Sequence, residues 1–136
     1  MNRTSNNISI PSTPENLAVV EKYIEDVCIE NNIGPDVFGN ILITTTEAVN
    51  NAILHGNKKD ESKNVDVSFD LDLERKTITF KIKDEGNGFD YNNLPDPTAP
   101  ENIHMTGGRG VFLIKQLADF VIFSDNGSLL ELEFKL

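Results

Sequence analysis

The sequence predicts an α+β fold, a two-layer sandwich in which a mainly antiparallel mixed sheet is covered by helices on one face. Three observations predict it. Val65, Val67, Phe69, Leu71 and Leu73 alternate strictly with polar residues, as one face of a half-buried strand requires. Two amphipathic helical stripes lie next to each other before that strand, rather than alternating with strands. That strand turns into a second at Glu74-Arg-Lys76, and a further strand pair turns at Asp125-Asn-Gly127. Helices that cluster in this way exclude the alternating βαβ plan of a parallel sheet.

The elements follow in order. Ile8 and Ile10 alternate over Asn7 to Ile10 and predict a brief first strand. Ser12-Thr-Pro-Glu15 predicts a helix start, with Ser12 or Thr13 as cap, Pro14 in the first turn and Glu15 placed for a capping box. Leu17, Val20, Tyr23 or Ile24, Val27 and Cys28 form the apolar stripe of that helix, to about Asn31. Asn32-Ile-Gly34-Pro35 breaks it, and Asp36 begins a second helix with the stripe Phe38, Ile41, Leu42, Thr45, Ala48, Val49, Ala52. Gly56 ends that helix, and the charged run Asn57 to Asn64 is a loop. The strand from Val65 turns at Glu74 to Lys76 into a second one with Ile78, Phe80 and Ile82 inward, ending at Asp84. Leu94 to Thr106 holds three prolines and no periodicity, a long loop for so small a chain. Val111 to Asp119 reads as a helix, and Phe120 to Ser124 and Leu129 to Phe134 as strands.

A chain of 136 residues fits a single domain over residues 1–136. No apolar run approaches the roughly 20 residues that cross a bilayer, and Met1 to Asn7 carries no hydrophobic stretch of a signal peptide. The one cysteine, Cys28, excludes an internal disulfide and agrees with a reducing, cytoplasmic compartment; it reads as a packed thiol. A formal charge of −10 argues against nucleic acid and allows a basic protein partner.

Three segments carry chemistry. In Thr46-Glu-Ala-Val-Asn-Asn-Ala-Ile-Leu-His-Gly-Asn57, Glu47 and Asn51 stand one helical turn apart. A Glu carboxylate can take a proton from an attacking hydroxyl. An Asn carbonyl oxygen suits Mg²⁺, which keeps waters and substrate phosphates and needs few protein ligands. On the helical wheel the pair falls away from the apolar stripe, beside Thr44 and His55, so the bland reading is a solvated helix face. Asp84-Glu-Gly-Asn-Gly-Phe89 follows a strand. A plain tight turn is the alternative, yet thirteen loop residues rather than a strand come next. A carboxylate there can accept a hydrogen bond from an exocyclic amine such as that of adenine, with Gly86 and Gly88 allowing the base to approach the backbone. Gly107-Gly-Arg-Gly110 precedes a helix, where unpaired N–H groups bind phosphate; the alternative is a glycine-rich helix start. It is neither a P-loop nor a dinucleotide fingerprint.

In order and at these spacings, the segments resemble the three nucleotide-binding boxes of the gyrase, chaperone, histidine-kinase and mismatch-repair ATPase superfamily, the GHKL or Bergerat fold. The wording Glu47-Ala-Val-Asn-Asn-Ala-Ile-Leu-His-Gly56, Asp84-Glu-Gly-Asn-Gly-Phe89 and Gly107-Gly-Arg-Gly-Val-Phe-Leu-Ile114 with Leu117-Ala-Asp119 is similar to the anti-sigma-factor serine/threonine kinases of bacterial partner-switching systems. The resemblance covers essentially the whole chain. It implies Glu47 as catalytic base, Asn51 as Mg²⁺ ligand, Asp84 as the adenine-reading carboxylate, and Gly86 and Gly88 beside the base. Phe89, Thr106, Gly107, Gly108, Arg109, Gly110, Val111 and Phe112 complete the implied nucleotide contacts, and Pro95 to Thr106 stand where the family has its ATP lid. The family's late Gly-Thr-Thr motif is only partly kept: Gly127-Ser128-Leu129 stands there, which leaves a contact through Ser128 open.

The implied function is an ATP- and Mg²⁺-dependent kinase that phosphorylates a small anti-anti-sigma (STAS-type) antagonist protein and sequesters a sigma factor, acting as a homodimer. The alternative is a non-catalytic nucleotide-binding regulator that sequesters its partner. The histidines are His55 and His104, neither on a phospho-acceptor dimerisation helix, and no transducer domain is expected after residue 136. Presence of both Glu47 and Asn51 favours the kinase, since a pure binder has no need of the base.

Overall fold

Alternating apolar residues put one hydrophobic face on each strand, and the strands assemble so that these faces form a single floor. The computed structural model describes residues 3–86, 113–124 and 128–136. Strand β1 (Arg3–Pro11) leads through a 3₁₀ turn (Pro14–Asn16) into helix α1 (Leu17–Glu30). Helix α2 (Pro35–Asn51) continues into a π turn (Ala52–Gly56). Then come β2 (Asn64–Asp72), β3 (Thr77–Lys83), a helical stretch at residues 113–117, β4 (Phe120–Ser124) and β5 (Leu129–Lys135). The sheet order is β1-β2-β3-β5-β4. Every described pairing is antiparallel, where the sequence had allowed a mixed sheet.

Register follows the alternation. Val67 stands opposite Ile82, Phe69 opposite Phe80 and Leu71 opposite Ile78, so all six side chains share the inner face. Phe80 pairs on its other side with Leu132, and Ile78 with Phe134. A slip of one residue would turn each set to solvent. Helices α1 and α2 cover this face through Val20, Tyr23, Ile24, Val27, Ile41, Ala48 and Val49, all in one core with the strands. Tyr23 meets Phe69 edge-on, with ring centroids 6.3 Å apart. Fully burying one such large side chain contributes roughly 1.5–3 kcal/mol.

Three details depart from the sequence reading. Strand β1 is nine residues long and pairs along the whole of β2, although only Ile8 and Ile10 alternate. An edge strand is held by its main chain, which polar residues supply as well as apolar ones. Leu73 ends outside the strand and is 55% exposed, because the Asp72 carboxylate accepts the Glu74 and Arg75 N–H groups at 3.2 Å and turns the chain before it. The capping box does not form, and neither Thr13 nor Asn16 makes a side-chain cap. Instead the Asn16 amide donates to Thr13 Oγ1 at 2.7 Å, and the buried Ser12 hydroxyl donates to the Lys63 carbonyl at 2.7 Å. Ser12 serves the junction of β1 with the loop before β2, a tertiary demand that outweighs the local one.

Candidate functional site

The site grows from the end of α2. The helix runs regularly to Asn51 and then widens, with the Asn57 N–H bonded to the Ala52 carbonyl at 2.8 Å and the Lys59 N–H to the Ile53 carbonyl at 2.7 Å. Single π turns inside helices cluster at functional sites. Here the wider turn delivers Gly56 against the segment that follows β3. A Cβ on Gly56 would stand 2.8 Å from Asp84 Oδ1 and closer still to Oδ2. A Cβ on Gly86 would overlap the Gly56 carbonyl. Both positions therefore need glycine for close approach of main chain to main chain and carboxylate.

Asp84 sits at the centre of this arrangement, 4% exposed. Its N–H donates to the Ser128 carbonyl at 2.9 Å, and its Oδ1 accepts the Gly86 N–H at 2.8 Å. Burial pushes its carboxyl above the usual carboxylate range, and the Gly86 bond and the charge of Lys63 oppose that rise. A desolvated carboxylate of this kind gains from any further donor offered to it.

Of the residues singled out in the sequence, the structure brings Asp84, Gly86 and Ser128 together at the end of β3, against Gly56, while Asn51 ends α2 just before the π turn that leads to Gly56. Glu47 lies one turn before Asn51 on α2 and is half-buried. The bland alternative of a solvated face does not hold for Asn51 or Thr44: Asn51 is buried, and Thr44 on the same face is fully buried. A wheel weighs polarity alone, whereas this end of α2 is enclosed by the chain around it. His55 is exposed, as that reading required. Gly88, Phe89, Thr106, Gly107, Gly108, Arg109, Gly110, Val111 and Phe112 lie outside the described residues, as do Pro95 to Thr106. Just beyond them Ile114 is fully buried in the common core.

Sequence reasoning missed a second group. Asn57, read as the first residue of a charged loop, is 1% exposed. Its amide donates to Ser12 Oγ at 2.8 Å and to the Asn64 carbonyl at 3.0 Å, and its Oδ1 accepts the Glu85 N–H at 2.8 Å. The Glu85 carboxylate in turn accepts the Asn64 N–H. By local pattern Gly56 is a helix terminator. The available signal was thin: Gly56-Asn57 closes an apolar helix, but nothing local marks either residue as buried.

An α+β layer with a buried carboxylate, two glycines pressed against it and a Glu/Asn pair on the adjoining helix has the form of a nucleotide-binding domain. The histidine kinase-like ATPase domain family matches residues 10–134, and the chain belongs to it. It is 25% identical over 120 residues to the serine-protein kinase RsbW of Bacillus subtilis, covering 84% of this chain and 74% of that protein. It is 29% identical over 126 residues to the serine-protein kinase RsbW of Staphylococcus aureus, covering 87% and 78%. Among solved structures, the RsbU and RsbW domains of Rv1364c from Mycobacterium tuberculosis superpose with a TM-score of 0.70 over 98% of this chain, at 15% identity. This chain spans 32% of that one, and the likeness concerns the fold. The resemblance to the anti-sigma-factor kinase branch is thereby borne out. No helix among the described residues is long and apolar enough to cross a membrane.

Proposed function

We propose that this protein binds ATP with Mg²⁺ at the junction of α2 and the β3 end, and transfers the γ-phosphoryl group to a Ser or Thr of a small anti-anti-sigma (STAS-type) antagonist. The observation that carries the reading is the 4% exposed Asp84 carboxylate held against Gly56 and Gly86, beside the helix that bears Glu47 and Asn51. Glycine at both positions lets the main chain close on Asp84, and a buried carboxylate prefers a ligand that donates to it. Asp84 reads the exocyclic amine. The Asn51 side-chain oxygen would hold Mg²⁺, which would neutralise phosphate charge. Glu47 accepts the proton of the attacking hydroxyl. Bound ATP supplies the phosphoryl group and the charge that Mg²⁺ neutralises.

The names of the relatives support a serine-protein kinase, and the branch they belong to supports a sigma factor as the sequestered protein in a partner switch. The same resemblance supports a homodimer and a cytoplasmic setting. Incubation with γ-labelled ATP, Mg²⁺ and candidate antagonist proteins tests the reading. Label on a Ser or Thr of an antagonist is the expected result. Nucleotide binding without transfer would leave the non-catalytic regulator as the function.

A further inference from the structure

We infer that Asn57 is a positioning residue for the base end of the nucleotide site, a role that rests on the function proposed above. Its side chain is fully engaged and oriented without ambiguity. The Asn64 carbonyl can only accept, so it faces Nδ2, and the Glu85 N–H can only donate, so it faces Oδ1. The Ser12 hydroxyl gives its proton to the Lys63 carbonyl and is left to accept from Asn57. One amide therefore joins its own loop to three other pieces of chain: Ser12 just after β1, the start of β2 and the residue between Asp84 and Gly86.

The last of these joins is the functional one. Asn57 follows Gly56 directly, and Glu85 lies between the two residues that close on Gly56. The bond from the Glu85 N–H to Asn57 Oδ1 thus fixes the Asp84-Glu-Gly86 turn at its registry with the end of α2. Without it, the turn keeps the Asp84 and Gly86 N–H bonds and the Glu85 carboxylate bond to Asn64, but loses its bond to the residue that follows Gly56. No substituent repeats the pattern. Asp has no donors for Ser12 and Asn64, and Gln carries the amide one methylene further out.

Two variants separate positioning from general stability. Asn57→Ala removes all three bonds. Ser12→Ala removes one arm of the network and leaves the Glu85 bond in place. Both are expected to lower the urea midpoint. Only Asn57→Ala is expected to weaken ATP and ADP, by about tenfold and to the same extent, because the base is common to both. At saturating ATP the transfer rate should be retained, so that KM rises while kcat holds. In the nucleotide-free protein, hydrogen exchange at the Glu85 amide should quicken in Asn57→Ala and not in Ser12→Ala.

Affinity within about twofold of wild type in folded Asn57→Ala overturns the role. So does unchanged Glu85 exchange, or an affinity loss in Ser12→Ala that matches its loss of stability as closely as in Asn57→Ala. A wild-type protein that binds neither ATP nor ADP overturns the proposed function and this role with it. That failure is distinguished by being present before any substitution is made.

Discussion

Gly86 and Gly56 meet main chain to main chain: a Cβ on Gly86 would overlap the Gly56 carbonyl carbon and oxygen. The two residues lie thirty positions apart, at the end of a helix and after a strand, and Gly56 also packs against the buried Asp84 carboxylate. Backbone cannot yield as a long side chain can. Gly86→Ala should therefore cost about 1–3 kcal/mol of stability, as overpacking does, and should remove nucleotide binding. Urea denaturation and calorimetry check both. Wild-type values for the pair would show that the close approach is dispensable.

Asp84 sets a stability cost against a binding gain. Its folded pKa is raised by burial, so its contribution to stability is fully present below the unfolded value of about 3.9 and is lost as pH rises through the folded value. Asp84→Asn keeps an acceptor for the Gly86 N–H and has no charge to bury. Melting temperatures measured from acid to neutral pH should show the variant gaining on the wild type as pH rises through that window. A constant difference across the range would contradict the assignment.

For recognition, Asp84→Ala is the sharper variant. It removes the acceptor for the exocyclic amine and leaves that donor unpaired in the site, at a cost of about 1–3 kcal/mol of nucleotide affinity. Calorimetry with ATP and GTP on the folded variant and the wild type is the check. Equal wild-type affinity for the two nucleotides would sink the assignment.

Glu47→Gln preserves size and polarity but cannot take the proton. Nucleotide binding should persist while phosphoryl transfer falls by roughly 10²–10⁴-fold. Asn51→Ala should instead weaken the Mg²⁺-dependent part of binding. Transfer at the wild-type rate by Glu47→Gln would falsify the base assignment.

Thr45 tests the packing beneath the site. Thr44 and Thr46 return their hydroxyls to the Asn40 and Leu42 carbonyls one turn back, at 2.8 and 2.6 Å. Thr45 is fully buried, and its Oγ1 has no hydrogen-bond partner among the described residues. Thr45→Val replaces a hydroxyl by a methyl of similar size and should raise stability by about 1 kcal/mol. Destabilisation in urea would mean that the hydroxyl is satisfied in solution.

The sequence by itself determined the layers. Strict alternation in β2, β3 and β5 allowed one inner face, and the stripes of α1 and α2 allowed one way to cover it. It also singled out Asp84, Gly86 and the Glu47/Asn51 pair as candidates, because the three segments, taken together in this order, resemble the nucleotide-binding boxes of one family. The tertiary structure alone decided what was buried and what was clamped. Local polarity placed Asn51 and Thr44 on a wet face, yet both are enclosed, because enclosure depends on residues far away in the chain. Ser12 looked like a helix cap and became part of a bridge to Lys63 and Asn57, whose partners are 51 and 45 residues distant. Asn57 itself stood in a charged loop with nothing to mark it. Its importance comes from three bonds to groups 7, 28 and 45 residues away, and a one-dimensional pattern does not record such separations.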